Sequence, residues 1–349
     1  MNFAFTPDQL ALAGTVRDVL AEHCPAAALR TERLPAWDRL AAVGFFGMLV
    51  PPEADGLGLR LVDALPALEE TGRACLPGPV VETAVVAPYL LPGVPKLASG
   101  AVRVSVVPPG GVGAPDADLA DLIVVAGTLP DAGPDAGPDA GPGAGPGAGA
   151  GAVVPRLVAR EAARLRPVPG PDPCRRLSEV SFTESTPVER PLAPALRAAT
   201  VATAAQLIGV ARRLLDVSVA YARTRRQFGA PIGSFQAVKH RLADVAVAIA
   251  FAAPLVHRAA LSVDSLSAGS PEPVVERDVS AAKAAAGEAA DLAARAALQT
   301  HGAIGYTEEL DLRFWLARAW SLSAAYGGAA EHRARIRETL AGGVTRRYP

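Results

Sequence analysis

The stretch YARTRRQFGAPIGSFQAVKHRLADV, residues 221–245, joins two long helical patterns through a short break. Alanine, leucine and valine recur at helical spacing before the break, over about 194–226, and after it, over about 235–268. The break itself, FGAPIGS, contains glycine and proline, which end helices, and Ser234 is a candidate N-cap for the helix that follows. This stretch therefore predicts two long antiparallel helices joined by a tight turn.

The same helical pattern of apolar residues continues towards the C-terminus. A third long pattern covers about 274–301 and follows the break AGSPEP, where Ser270 is a candidate N-cap. Shorter helices are predicted at about 308–324 and 328–341. Residues 191–349 therefore predict a helical domain built as an antiparallel four-helix bundle.

The first 98 residues predict a smaller helical domain. In TPDQ, Thr6 is placed as an N-cap, Pro7 takes the first helical position, and Gln9 can complete a capping box. Further helical patches cover 37–43 and 61–71. The segment between these patches is rich in glycine and proline and predicts a loop.

Residues 99–190 have the composition of a small β-domain. Short β-rich runs occur at 101–107, 121–126, 153–159 and 177–183, separated by glycine, proline and aspartate. Among them, residues 130–152 form a Gly/Pro/Ala tract with almost no side chain that can bury area, so we expect a disordered loop. The predicted class is α+β, with helical, β and helical domains in that order.

Composition and charge exclude several classes of protein. Lysine and arginine number 34 against 35 aspartate and glutamate residues, so no basic surplus is present to bind nucleic acid. Three cysteines stand far apart without a CxxC pair, which predicts neither a disulfide framework nor a metal site. The N-terminus lacks a basic region and a signal-peptide core. We therefore expect a cytoplasmic protein.

A membrane span is not predicted either. Half of the residues are hydrophobic (50%), and the mean hydropathy is +0.24. However, the longest apolar runs within helical patterns, 198–211 and 245–256, are shorter than the ~20 residues that a bilayer span requires.

Two motifs in the C-terminal half resemble a known family. Residues 221–245, together with QTHGAIGYTEELDLRFWLARAWSL at 299–322, look like the paired C-terminal motifs of the acyl-CoA dehydrogenases. FTPDQLALAGTVRDVLAEHCP and the segment from AAVGFFGML to CLPGP are similar to the opening of the same family. The resemblance covers nearly the whole chain except 101–190, where it is weak. It implies the fold of that family and an oligomeric flavoprotein that binds FAD between subunits.

The resemblance also implies which residues contact FAD. Arg225 matches an arginine that binds the pyrophosphate, and its fork of donors suits phosphate oxygens. Phe228 and Gln236 match positions at the adenosine end. A further segment of the family wraps the diphosphate of a neighbouring subunit's FAD, and its small residues let backbone N–H groups approach an anion. The residues that match this segment are Gln299, Gly302, Ala303 and Gly305. Ala303 replaces the second glycine of the family's usual pair.

The base that the resemblance implies is missing. Desaturation of an acyl thioester requires a base for the α-proton while a hydride leaves the β-carbon, and the family uses a glutamate after a tyrosine. Here Gly327 follows Tyr326 instead. An alternative position in some members, on the first long helix of the bundle, is Ala199. Glu331, one helical turn past Gly327, is a weak candidate whose charged surroundings indicate an exposed helix face.

Two hypotheses remain open at this stage. The first hypothesis is that the chain is, as the resemblance implies, an FAD-dependent acyl-CoA dehydrogenase that desaturates an acyl-CoA in lipid metabolism such as fatty acid β-oxidation. It would then act as a homo-oligomer and pass electrons to an electron acceptor flavoprotein. Alternatively, it resembles the shortened subunits that lack the catalytic glutamate and complete the FAD site of a partner in a heterotetramer. The weak β-domain resemblance, without the family's flavin-contacting strand, fits the second hypothesis.

Overall fold

The computed structural model describes residues 4–126, 154–266 and 269–344, the last three of these by their backbone alone. The predicted disordered loop at 130–152 lies outside the described residues. Helices precede and follow a small β-sheet region along the chain, in the helical, β and helical order that the sequence predicts. The predicted fold class is therefore confirmed, whereas the domain boundaries 1–98, 99–190 and 191–349 stay a prediction.

The N-terminal part is helical. Its α-helices are α1 (Pro7–His23), α2 (Trp37–Ala42), α3 (Leu61–Arg73) and α4 (Ala87–Leu90), the last directly preceded by a π-helical turn at Glu82–Val86. Single 3-10 turns occur at Ala28–Arg30, Phe45–Gly47 and Pro52–Ala54. The predicted capping box of α1 is confirmed, because the Thr6 hydroxyl accepts the Gln9 N–H and the Gln9 side chain accepts the Thr6 N–H.

Within its described residues, the β-region contains two small sheets. The strands are β1 (Val104–Val107), β2 (Ala114–Pro115), β3 (Leu122–Val125), β4 (Arg156–Ala159), β5 (Ala163–Val168), β6 (Leu177–Phe182) and β7 (Thr186–Pro187). One sheet has the order β1-β3-β4-β7, with β1 and β3 parallel, and the other has the order β2-β6-β5. The four predicted runs all contain strands. Sequence analysis missed β5, whose ARLRPV combines two arginines with a proline.

The C-terminal part is the predicted helical bundle. Its members are α5 (Leu192–Thr224), α6 (Gln236–Asp264), α7 (Glu272–His301), α8 (Leu312–Ala324) and α9 (Ala329–Val344). A two-stranded hairpin, β8 (Arg226–Gln227) with β9 (Ala230–Pro231), joins α5 to α6, and a 3-10 segment, Gly302–Tyr306, follows α7. The helices α5, α6 and α7 pack against one another, and α8 and α9 pack on α7.

Two predicted helix caps are wrong. The helices α6 and α7 begin after Phe235 and Pro271, and neither has a side-chain cap. Instead, the Ser234 hydroxyl donates to the Pro231 carbonyl at 2.7 Å, and the Ser270 hydroxyl donates to Ser265 Oγ at 2.8 Å. Each hydroxyl is used inside the preceding turn, so it does not reach the first N–H groups of the helix.

The helix α5 is the central element of the molecule. Its buried side chains belong to a single hydrophobic core that also contains the N-terminal helices. At its crossing with α3, a Cβ added to Gly209 would lie 2.0 Å from the Glu69 carbonyl oxygen, and one added to Gly72 would lie 2.0 Å from the Gln206 carbonyl oxygen. Only glycine allows the two backbones to approach this closely.

Among the helices that the structure describes, two have the length and composition of membrane spans. These are α5 and α6, but 78% of the apolar window of α5 and 44% of that of α6 are buried inside the protein. Core helices show the same properties, so the two helices are weak evidence for a span.

Candidate active site

The two C-terminal motifs meet at one end of the bundle. Arg197 near the start of α5 pairs with Glu272 and Glu276 near the start of α7. At the opposite end, the Tyr221 and His301 rings stack with their centroids 4.4 Å apart. The helices α5 and α7 therefore run parallel, and their C-terminal ends lie side by side. We call this region, residues 221–236 and 299–306, the cofactor end.

The β8–β9 hairpin presents an aromatic side chain to solvent. Phe228 and Gly229 both have positive φ, 51° and 80°, which is the pattern of a type I′ turn. Phe228 is 93% exposed and makes an edge contact with Phe235 at 6.2 Å between centroids. A phenylalanine rarely adopts this backbone conformation, and here its ring gains little burial from it. Such a ring is placed to contact another molecule.

Arg225 directly follows α5, and its backbone N–H and carbonyl are both hydrogen-bonded within the turn. Its N–H donates to the Tyr221 carbonyl, and its carbonyl accepts the Ile232 N–H at 2.8 Å. The side chain is exposed, and within the described ranges its guanidinium has no carboxylate partner. Gln236, in the first turn of α6, is also exposed. The guanidinium is therefore available for an anion.

The segment after α7 has one glycine suited to such an anion. Gly302 has φ 66° and ψ −142°, a conformation essentially limited to glycine, and a Cβ there would meet no described atom within 4 Å. Gln299 and Ala303 are exposed as well. Gly305 differs, because it is buried and its Cβ would lie 3.3 Å from Leu298 Cδ1, so it serves packing. No group of three or more potential metal ligands occurs in the described parts of the chain.

A cleft of about 450 Å³ lies towards the other end of α5. Its walls come from the β-region, from Leu196 and Thr200 of α5, and from the turn between α8 and α9. The predicted base position, Gly327, lines this cleft. Ala199 does not reach it, because that side chain is buried in the core at 0% exposure.

The backbone at Gly327 does not favour a longer side chain. Its φ is 103°, and the preceding Tyr326 has φ 56°. A Cβ at 327 would lie 2.8 Å from His332 Nε2 and 3.3 Å from Glu331 Oε2. The carboxylate of Glu331 therefore stands next to the place where the family's glutamate would begin. It is 56% exposed and accepts a hydrogen bond from Arg335 at 2.5 Å.

Two buried side chains of α7 and α9 hold this turn. Lys283 Nζ donates to the carbonyls of Ser323 and Gly327 at 2.9 and 3.0 Å. His332 Nε2 lies 3.1 Å from the Tyr326 carbonyl, so that nitrogen carries the proton, and Nδ1 accepts from the Ser280 hydroxyl. Burial lowers the pKa of Lys283 to about 7 and that of His332 to about 4.

The inner wall of the cleft contains polar groups that sequence analysis missed. The Tyr326 hydroxyl donates to Glu82 Oε1 at 2.9 Å, and burial raises the Tyr326 pKa well above its usual value. Arg175 lies on the same wall and touches Ser321 Oγ at 3.4 Å. A sequence signal existed for Glu82 and Lys283, since each is the one charged residue of a long small or apolar run. Nothing in the sequence indicated that Arg175 joins them.

The cofactor end and the cleft are far apart within the chain. Thr200 and Arg225 are separated by 25 positions along one uninterrupted helix, which corresponds to ~37 Å at 1.5 Å per residue. One FAD molecule is shorter than this separation. A flavin at the cleft of this chain would therefore not reach Arg225 of the same chain.

The family assignment follows from this fold and these two regions. Residues 6–94 match the model described as "Acyl-CoA dehydrogenase, N-terminal domain", and residues 194–341 match "Acyl-CoA dehydrogenase, C-terminal domain". The chain belongs to the acyl-CoA dehydrogenase family, whose members are oxidoreductases with FAD as cofactor. The exposed guanidinium of Arg225 and the open backbone at Gly302 fit the phosphates of that cofactor.

Particular relatives support the assignment along most of the chain. Acyl-CoA dehydrogenase IpdE2 of Mycobacterium tuberculosis is 32% identical over 324 residues, which cover 88% of this chain and 89% of that protein. Two solved structures share the fold. A variant of the Tcur3481-Tcur3483 steroid ACAD has a TM-score of 0.80 at 23% identity, covering 97% of this chain and 98% of the other. The ChsE4-ChsE5 complex of M. tuberculosis has a TM-score of 0.78 at 21% identity, with 100% of both chains covered.

Proposed function

We propose that this chain is one subunit of an oligomeric acyl-CoA dehydrogenase and that its cofactor end completes the FAD site of a neighbouring subunit. Arg225 would bind the pyrophosphate, and Phe228 and Gln236 would contact the adenosine end. Gln299, Gly302 and Ala303 would lie along the diphosphate. Bound FAD supplies the acceptor for the hydride that leaves the substrate's β-carbon when an acyl-CoA is desaturated.

The observation that carries this proposal is the separation of the two regions along α5. The cofactor end lies ~37 Å from the cleft of the same chain, by the rise of the helix. At the same time its cofactor-binding side chains point outwards, with Phe228 93% exposed. These side chains therefore suit a cofactor seated against a second subunit better than one held in this chain's own cleft.

The absent base favours a partner of a different sequence. Gly327 and Ala199 occupy the two positions where the family would carry its glutamate, and neither can take a proton. A heterotetramer, in which a second acyl-CoA dehydrogenase-like subunit brings the glutamate, supplies what this chain lacks. The fold matches to the two-component Tcur3481-Tcur3483 and ChsE4-ChsE5 assemblies motivate this arrangement. An electron acceptor flavoprotein would reoxidise the cofactor, and we propose a cytoplasmic location.

A second candidate is activity of this chain on its own, with Glu331 as the base. The position of Glu331 Oε2, 3.3 Å from where a Cβ of residue 327 would stand, favours it. The ion pair with Arg335 at 2.5 Å counts against it, because the carboxylate is 56% exposed and is already engaged by a guanidinium of its own helix.

The test is the FAD content of an Arg225→Ala variant. The chain is expressed alone and together with an acyl-CoA dehydrogenase-like partner, and flavin absorbance per chain and bleaching by acyl-CoA are recorded. We expect bleaching in the pair, and at least a tenfold weaker FAD affinity, about 1.4 kcal/mol, when Arg225 is removed.

The matched control is Arg223→Ala, which removes an exposed arginine one half-turn earlier on α5. It should leave FAD content unchanged. Equal flavin content in the Arg225→Ala and Arg223→Ala proteins would contradict the proposed role of the cofactor end. Bleaching by the chain alone that is lost in Glu331→Gln would instead establish the second candidate.

A further inference from the structure

The cleft ends at a wall that is polar, although an alkyl chain would require an apolar one. A second, inner cavity of about 10 Å³ lies behind the cleft and has room for no more than one water molecule. The side chains that line both spaces are Glu82, Arg175 and Tyr326. These three residues therefore form the partition between the cleft and the inner cavity, and we call them the end wall.

Two residues of the end wall, Glu82 and Tyr326, lie in segments with an unusual backbone conformation. Glu82 lies at the start of the π-helical turn Glu82–Val86, and such turns occur mostly at functional sites. Tyr326 has a left-handed backbone with φ 56°, and its own carbonyl and that of Gly327 are held by His332 and Lys283. The hydrogen bond of 2.9 Å between Tyr326 and Glu82 then joins the two segments across the cleft. Conformations of this kind persist where the surroundings fix them.

The hydrogen-bonding capacity of the end wall is not used up within the described protein. The Glu82 carboxylate accepts from the Tyr326 hydroxyl and can accept further donors. Arg175 has five N–H donors, of which one makes a long contact of 3.4 Å to Ser321 Oγ, and it has no carboxylate partner within the described ranges. An acceptor group and a donor group thus face the same cleft.

We propose that the end wall recognises a hydroxyl group on the acyl portion of a bound acyl thioester. A hydroxyl can donate to Glu82 and accept from Arg175, so it satisfies both groups at once. A ketone could accept from Arg175 but leaves Glu82 unmatched, and a carboxylate would be repelled by Glu82. A long alkyl chain would desolvate the remaining acceptor sites of Glu82 and the remaining donors of Arg175 without pairing them. This inference rests on the proposed function only in taking an acyl-CoA as the occupant of the cleft.

The experiment measures ligand binding through Trp320, which lines the cleft and is 43% exposed. The purified full chain, alone and with its partner, is titrated with 6-hydroxyhexanoyl-CoA, 6-oxohexanoyl-CoA, hexanoyl-CoA and dodecanoyl-CoA. A Trp320→Phe variant identifies the fluorescence change that belongs to this cleft. We expect the hydroxy compound to bind about tenfold more tightly than hexanoyl-CoA, because a site built to bond a hydroxyl rejects the analogue that lacks it.

Two conservative variants test the wall itself. Glu82→Gln and Tyr326→Phe keep the side-chain volume, and each should reduce the preference for the hydroxy compound to less than about threefold. Glu338→Gln, an exposed carboxylate on α9 outside the cleft, should retain the full preference. Equal affinity for the hydroxy and unsubstituted compounds in the unmodified chain, tighter binding of dodecanoyl-CoA, or no Trp320 response to any compound would overturn the proposal.

FAD content measured on the same preparations separates this proposal from the preceding one. If FAD content depends on Arg225 but the chain shows no preference for the hydroxy compound, only the proposed role of the end wall is rejected. A hydroxyl preference with FAD content indifferent to Arg225→Ala would reject only the role of the cofactor end.

Discussion

Gly327 shows how a single residue decides what this cleft can do. Its φ of 103° lies outside the region that side-chain-bearing residues adopt readily. Its missing Cβ also leaves the space in which His332 approaches the turn. A glutamate placed here would therefore have to change the backbone as well as the side chain. The loss of the family's base and the conformation of the turn are one structural feature.

We predict that Gly327→Ala lowers the free energy of unfolding by roughly 1–3 kcal/mol, the range for a side chain forced into a sparsely populated conformation. The added Cβ also meets His332 Nε2 at 2.8 Å. Urea denaturation measures the change, with Gly328→Ala as the control. A Cβ at Gly328 meets nothing within 4 Å, and its φ is not positive, so that variant should be close to the unmodified protein. Equal losses in the two variants would show that the turn is not strained at 327.

At the scale of the elements, helix crossings and helix ends decide how the two helical parts meet. The helices α3 and α5 touch through Gly72 and Gly209, where each backbone occupies the space of the other's missing Cβ. The helices α7 and α9 meet through His332 and Lys283, which are buried and bond to the α8–α9 turn. The first contact depends on shape, and the second depends on protonation.

Gly209→Ala should lower the melting temperature by several degrees, because the methyl group would lie 2.0 Å from the Glu69 carbonyl oxygen and force the helices apart. Overpacking of this kind costs about 1–3 kcal/mol. The control is Gly14→Ala in α1, where the Cβ has open space. Alanine in a helix interior is favoured over glycine, so the control should keep or raise the melting temperature, measured by circular dichroism. A Gly209→Ala protein as stable as the Gly14→Ala protein would contradict the close crossing.

Stability should fall between pH 6.5 and pH 4 because of His332. Its pKa is 6.5 in an ordinary setting and about 4 in the folded chain, so the unfolded state binds a proton in this interval that the folded state does not. Stability from this residue is thus complete above pH 6.5 and is lost as the pH falls, by about 3 kcal/mol in total.

The measurement compares urea unfolding of the unmodified chain and of His332→Asn at pH 7, 6, 5 and 4. The difference between the two proteins should shrink towards acid pH, since asparagine takes up no proton in this interval. His240→Asn, at an exposed position on α6, is the control for the loss of a histidine. Parallel curves for His332→Asn and the unmodified chain would exclude His332 as the acid-sensitive group.

For the molecule as a whole, the outer face of α6 indicates an assembly. Val247, Phe251 and Leu255 recur every four residues along one stripe of this helix and are 53%, 76% and 39% exposed. A contiguous apolar stripe on a surface helix is typical of a subunit interface.

Phe251→Asp should therefore shift the chain and its partner towards smaller species in sedimentation velocity while leaving the helical circular dichroism unchanged. A charge in a buried apolar interface loses solvation without gaining a partner. Leu10→Asp is the control, because Leu10 is also exposed, at 55%, but lies on α1. An assembly that tolerates Phe251→Asp as well as Leu10→Asp would place the interface elsewhere.

The elements and the family followed from the sequence because their signals are local. Helical periodicity, the capping box at Thr6 and the breaks at FGAPIGS and AGSPEP depend on residues within a few positions of one another. The same holds for the two motifs around Arg225 and Gly302. Short-range steric and hydrogen-bonding preferences are sufficient to predict such elements in the right order. They were not sufficient for β5 or for the starts of α6 and α7, where local polar groups had competing partners.

Tertiary structure alone determined the end wall and the separation between the cofactor end and the cleft. Glu82, Arg175 and Tyr326 are distant in sequence and meet only because the N-terminal helices, the β-region and the bundle pack around one cleft. Lys283 and His332 likewise acquire their lowered pKa values from burial rather than from neighbours in the chain. The sequence by itself determined which helices form and which residues lie at the cofactor end. Only long-range packing determined that this end lies far from the cleft, because the distance is set by one long helix against which α3, α6, α7 and α8 pack.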